Sequence, residues 1–223
     1  METIDSYCER LGPGFWAEPL NALSNLSFII CALVAWRIAR RAGRSGDYAV
    51  RALVGTELVI GVGSFLFHTF ATRWAAAADV IPILVFILFY IHFATTRFFG
   101  APAWGGLVAV AAFFPTAAGL GAAIRAVLGP LNGSAGYGAV LLVIVGYGAA
   151  ALKTARSAVG RDLLIGAGML FVSLVFRTLD DQHGPVCAAL PIGTHWAWHL
   201  LNGVMLAWMT VIIVRHGALK RAD

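Results

Sequence analysis

Residues 49–68, AVRALVGTELVIGVGSFLFH, form a run of twenty in which Arg51, Glu57 and His68 alone can carry charge. At about 1.5 Å per residue a helix of that length is about 30 Å long, the thickness of a bilayer's hydrocarbon core. The stretch therefore reads as a membrane-crossing helix. Apolar stretches of similar character recur at 20–36, 75–94, 104–123, 135–151, 163–175 and 194–214. Across the chain 60% of residues are hydrophobic, only 12% are charged, and mean hydropathy is +0.81. The expectation is an all-α fold, a seven-helix transmembrane bundle forming one integral-membrane domain over 1–223. It has an acidic outer segment at 1–19, helices within 20–216 and a tail at 217–223. The sixth stretch has the shortest apolar core, and Pro115 is expected to bend the fourth. The opening residues include Glu2, Asp5, Glu9 and Glu18 and show no basic-then-apolar secretory pattern.

Basic residues set the expected orientation, because cytoplasmic loops retain Lys and Arg. Twelve fall on one side: Arg37, Arg40, Arg41, Arg44, Arg51, Arg97, Lys153, Arg156, Arg161, Arg215, Lys220 and Arg221. Four, Arg10, Arg73, Arg125 and Arg177, fall on the other. The N-terminus is thus expected outside and the C-terminus in the cytoplasm, as in a multi-pass protein of the cell (inner) membrane. This asymmetry accounts for the net charge of +5 without a nucleic-acid partner.

With helix directions fixed, the polar residues can be placed by depth. Ser64 and His68 end the second helix, Asp79 lies near the start of the third, and His195 and His199 open the seventh, so all fall at outer ends. Spacings of four put Ser64 with His68, and His195 with His199, on shared helix faces. Ionisable groups at membrane depth are costly and mark function. Three neutral imidazoles around one zinc ion leave a fourth position for water, whose pKa falls to about 7. Asp79 suits proton transfer, and Ser64 suits donation to an oxyanion or orientation of the water. On spacing alone, Ser64 beside Gly61 and Gly63 reads first as a close helix approach. Glu57 reads as either a buried hydrogen-bonding acid or a proton relay. His92, His183 and His216 fall outside the site. Residues 180–185 read first as a connecting turn, with a lid, or Asp180 orienting a ligating histidine, as the alternative.

Taken together, several motifs resemble the alkaline ceramidases, integral-membrane amidases of a superfamily that includes the adiponectin-type receptors. They are Tyr7-Cys8-Glu9, Glu18-Pro19-Leu20-Asn21, Ser24-Asn25, Gly63-Ser64-x-x-x-His68, Asp79 and His195-x-x-x-His199. The resemblance implies zinc held by His68, His195 and His199, with Asp79 and Ser64 as catalytic partners. The implied reaction is hydrolysis of the N-acyl amide bond of ceramide, or of a related long-chain lipid amide, to a fatty acid and a sphingoid-type amine. It also implies calcium at Asp5, Glu9 and Glu18, although Asp5 precedes Glu9 by four residues where the family has three, and Leu11 replaces a family Asn. It further supports a Cys8–Cys187 disulfide, which the expected topology places on the outer, oxidising side. Cys31 lies within the first helix as a small buried residue. Two other readings are a seven-helix lipid receptor or sensor with a structural zinc, and a proton-coupled transporter using Glu57, Asp79 and the histidines. The transporter is less favoured, since no internal repeat is seen and the polar cluster lies at one end.

Overall fold

The computed structural model describes Ile4 and residues 6–217. It is all-helical among the described residues, with seven helices long and apolar enough to cross a membrane. The first crossing, Pro19–Arg41, joins α1 (Pro19–Ser24) to α2 (Leu26–Arg41) through Asn25. Asn25 keeps helical backbone angles and its Nδ2 donates to Asn21 O at 2.9 Å, so the axis continues. The next crossings are α3 (Tyr48–Phe70), α4 (Arg73–Phe98), α5 (Ala103–Leu128), α6 (Ala135–Leu152) and α7 (Ser157–Leu179). A short α8 (Pro185–Ala189) precedes α9 (His195–His216).

Helix ends follow local chemistry. The Asp47 side chain accepts Ala49 N–H at 2.9 Å and caps α3 at its start. Ala71, in the left-handed region at φ 47°, ends it. The helix α7 extends well past the apolar core that suggested it, because both its ends are polar yet satisfied. Asp162 accepts from His216 Nε2 at 2.9 Å, and Arg177 donates to Asn132 O at 2.9 Å and Ser134 Oγ at 2.8 Å. Hydropathy alone understates a helix whose terminal charges find partners at the membrane boundary.

From α2 to α7 each crossing packs on the next, and α9 closes the arrangement between α7 and α2 while also meeting α3 and α4. It is the centre of the bundle: 78% of its apolar window is buried, against 11% for the peripheral α5. Outward-facing Leu33, Val62, Val80, Leu107, Phe171 and Val204 are exposed, leaving an aliphatic surface suited to lipid contact. At the end away from the histidines, Asp47 accepts from Arg97 Nη1 and Nη2 at 2.6 and 2.8 Å and from Arg44 Nη2 at 2.5 Å. Both arginines also donate to Gly217 O, at 2.9 Å for Arg97 and 3.0 Å for Arg44. This knot ties the α2–α3 turn to the ends of α4 and α9.

Candidate metal centre

The last turn of α3 carries His68, and the first two turns of α9 carry His195 and His199. All three rings are buried, with His68 fully enclosed. Their centroids lie 4.8 Å apart for His68 and His199, 4.6 Å for His195 and His199 and 5.1 Å for His68 and His195. Each offers a ring nitrogen, and these nitrogens lie within 4.8 Å of one another. His68 Nε2, His195 Nδ1 and His199 Nε2 have no hydrogen-bond partner among the described residues. One buried unsatisfied polar atom costs about 1–3 kcal/mol, and three this close together form a donor set compatible with a metal ion.

Two of the remaining ring nitrogens, those of His68 and His199, are held from α1 and the segment before it. His68 Nδ1 meets Glu18 Oε2 at 2.5 Å, and His199 Nδ1 meets Ser24 Oγ at 2.7 Å. Partners of this kind fix ring orientation, leaving the other nitrogen aimed inward. Tyr7 stacks on His195 with centroids 3.8 Å apart, and burial pushes its phenol pKa upward. Glu18 also accepts from Arg10 Nε and from Asn21 Nδ2, while Arg10 Nη2 donates to His68 O at 3.0 Å. Burial works to raise the Glu18 pKa. The His68 contact, with Asn21 and Arg10, outweighs it and holds the group below the usual carboxylate range.

Glu9 has a different task. Its carboxylate accepts Leu20 N–H at 2.6 Å and Asn21 N–H at 2.8 Å, capping α1, and burial nonetheless lifts its pKa above the ordinary value. Glu9 and Glu18, read with Asp5 as calcium ligands, therefore meet at Asn21, each already receiving N–H donors. Asp5 itself lies outside the described residues.

Asp79, in the second turn of α4, reaches the site because α3 and α4 pack closely at Gly63. A Cβ there would overlap the Ala78 carbonyl oxygen. Ser64 follows Gly63 on α3 and lies buried beside the Asp79 carboxylate of α4, in the close helix approach that Gly61 and Gly63 suggested. Asp79 and His195 face a cavity of about 130 Å³ that Tyr7, Tyr137, Trp198 and Arg177 also line. Glu57, in contrast, lies eleven residues before His68 along α3. It is fully buried, and neither oxygen has a hydrogen-bond partner among the described residues.

Asp180 departs from its first reading as part of a plain connecting turn. It is fully buried, and its carboxylate accepts Cys8 N–H at 2.8 Å, His195 N–H at 2.7 Å and Thr194 N–H. It orients His195 through the unpaired backbone donors at the start of α9 rather than through an imidazole. Gly193, at φ +62°, lies against it where a Cβ would collide with the carboxylate. Cys8 and Cys187 form a disulfide with Cα atoms 5.1 Å apart. The nearby trio of Cys8, Asp180 and Cys187 is therefore a covalent clasp, not a ligand set. Arg10, Tyr7 and Arg177 were not singled out for the site from sequence. Only their neighbourhood in the Tyr7-Cys8-Glu9 and Ser24-Asn25 motifs pointed toward the first two. Compared with models of known protein families and with curated proteins, the chain matches none.

Proposed function

We propose that this chain is a membrane-embedded zinc amidase of alkaline ceramidase type. It hydrolyses the N-acyl bond of ceramide or a related long-chain lipid amide to a fatty acid and an amine. The observation that carries this reading is the convergence of three buried, otherwise unsatisfied imidazole nitrogens beside a carboxylate at a cavity. His68, His195 and His199 hold the metal. When bound, zinc supplies a Lewis acid for the acyl carbonyl and an acidified water. Asp79 would accept the proton of the attacking water as that water's oxygen adds to the acyl carbon. The same carboxyl then returns the proton to the departing nitrogen as the C–N bond breaks. Ser64, beside Asp79, would donate to its carboxylate and so fix which oxygen faces the reaction. The cavity has an apolar side: Ile83, Tyr137 and Trp198 line both it and a second, apolar cavity of about 60 Å³.

Orientation is part of the proposal. Clustering of arginines at the end away from the histidines favours a cytoplasmic location for that end, and a disulfide at the histidine end favours an oxidising compartment there. The test is metal analysis of purified protein together with fatty-acid release from N-acyl lipids. Wild type is expected to hold one zinc and release fatty acid; His199→Ala loses both. Asp79→Asn keeps the zinc and loses about 100-fold or more in rate. A folded His199→Ala protein with undiminished turnover would overturn the reading.

A further inference from the structure

Arg177, the cation lining the candidate site, has no carboxylate within ion-pair distance among the described residues. Arg177, near the end of α7, lies with its guanidinium carbon 5.0 Å from the Tyr137 ring centroid and 5.9 Å from that of Trp198. Its Nη1 donates to Asn132 O and Ser134 Oγ. These contacts fix the plane of the guanidinium and use only one of its nitrogens. Nε and Nη2 donate to nothing among the described residues, and no carboxylate there lies within ion-pair distance. That free edge is the fork on which a guanidinium takes a carboxylate by two parallel N–H bonds. The residue lines the same cavity as Asp79 and His195. A plain loop clamp at Asn132 and Ser134 accounts for Nη1 but not for an unpaired cation aimed into that space.

We propose that Arg177 seats a carboxylate on the amine half of the substrate, so that the lipid amide taken by this chain is a long-chain N-acyl amino acid of small side chain rather than neutral ceramide. The inference rests on the amidase reading and narrows it. Three features agree. The cavity of about 130 Å³ has room for a compact head beside the reacting amide. Among the described residues Asp79 is the one acid lining it, and it stays beyond ion-pair distance of Arg177, so the two charges act on each other only across the cavity. A charged head held at Arg177 leaves the first carbons of the acyl chain against the apolar walls of Ile83 and Trp198.

The experiment compares N-palmitoylglycine, neutral N-palmitoylglycinamide and a palmitoyl ceramide on the purified holoprotein, by equilibrium binding and by fatty-acid release. A charged hydrogen-bonded pair of this kind is worth about tenfold or more in affinity. Wild type is therefore expected to bind the glycine lipid at least about tenfold tighter than the glycinamide, with release rates ordered the same way. Arg177→Gln removes that preference, and helix content and zinc content equal to wild type show that the variant is folded. Arg177→Lys keeps part of it. Equal binding of the charged and neutral lipids by wild type, or a preference that survives Arg177→Gln, overturns the inference. So does ceramide released as fast as the glycine lipid, while leaving the amidase reading intact. Arg177-dependent binding of the glycine lipid with no release from any of the three supports the carboxylate seat and removes the amidase. If Arg177→Gln fails to fold, the wild-type comparison and Arg177→Lys decide.

Discussion

Glu18 concentrates the logic of the site in one carboxylate. It touches His68, Arg10 and Asn21 at once, so it orients a ligand ring while its own charge is balanced by a buried guanidinium. Replacing it with Gln keeps the shape and removes the charge. The expected result is a zinc affinity lower by about 10- to 100-fold, measured by competition with a chelator, with the fold retained. An affinity equal to wild type would mean that Glu18 serves Arg10 alone. At this scale the sequence was generous with ligands and poor in their supports. Spacings of four, at helix ends fixed by hydropathy, single out His68, His195 and His199. Nothing in the spacing says that Ser24, 175 positions away from His199, stands behind its ring, because such contacts depend on how helices cross.

Among elements, the decisive contact is that of α3 and α4 at Gly63. The absent side chain lets the Ala78 carbonyl come so near that even a methyl group would collide, and the collision would push Asp79 away from Ser64. Gly63→Ala is expected to cost about 1–3 kcal/mol of stability and to slow turnover more than it lowers zinc content, since Asp79 moves while the three histidines stay on α3 and α9. Thermal unfolding read alongside metal content checks this, and an unchanged melting temperature would show that α4 shifts freely. Helix number was legible because each crossing carries its own apolar run. Helix ends were not: Arg177, Asp162 and His216 look like flanking polar residues until their partners are known. Asp180 illustrates the same limit, since its three backbone donors come from two segments remote from it in the chain.

At the scale of the whole molecule, the knot at Asp47 holds the bundle closed at the end opposite the histidines. Burial alone would raise its pKa, but Arg97, Arg44 and the Ala49 N–H bring it down to about 2 from an ordinary 3.8. A folded-state value below the unfolded one means that the ionised group stabilises the fold at pH above about 3.8, and that this contribution is lost as pH falls toward about 2. In metal-stripped protein, where the histidine site does not contribute through zinc, wild type is expected to lose melting temperature across that window. Asp47→Asn, already weakened by about 3 kcal/mol through the unpaired Arg97, changes less. Parallel curves for the two proteins would place the acid sensitivity elsewhere. Which helix forms the middle was beyond the reach of hydropathy, because lipid and neighbouring helices are equally apolar surroundings for a side chain such as Leu206 or Ile212.

The central position of α9 bears on how the protein is made. It is the seventh crossing to leave the ribosome, yet it supplies two of the three imidazoles and the surface on which α2 and α7 settle. Six crossings must therefore enter the bilayer and wait around an unfilled seam, with His68 and Glu18 already in place but unable to assemble a donor set. On the proposed zinc reading, metal capture would be a late event of biogenesis, since a chain arrested before His195 has only one of the three imidazoles.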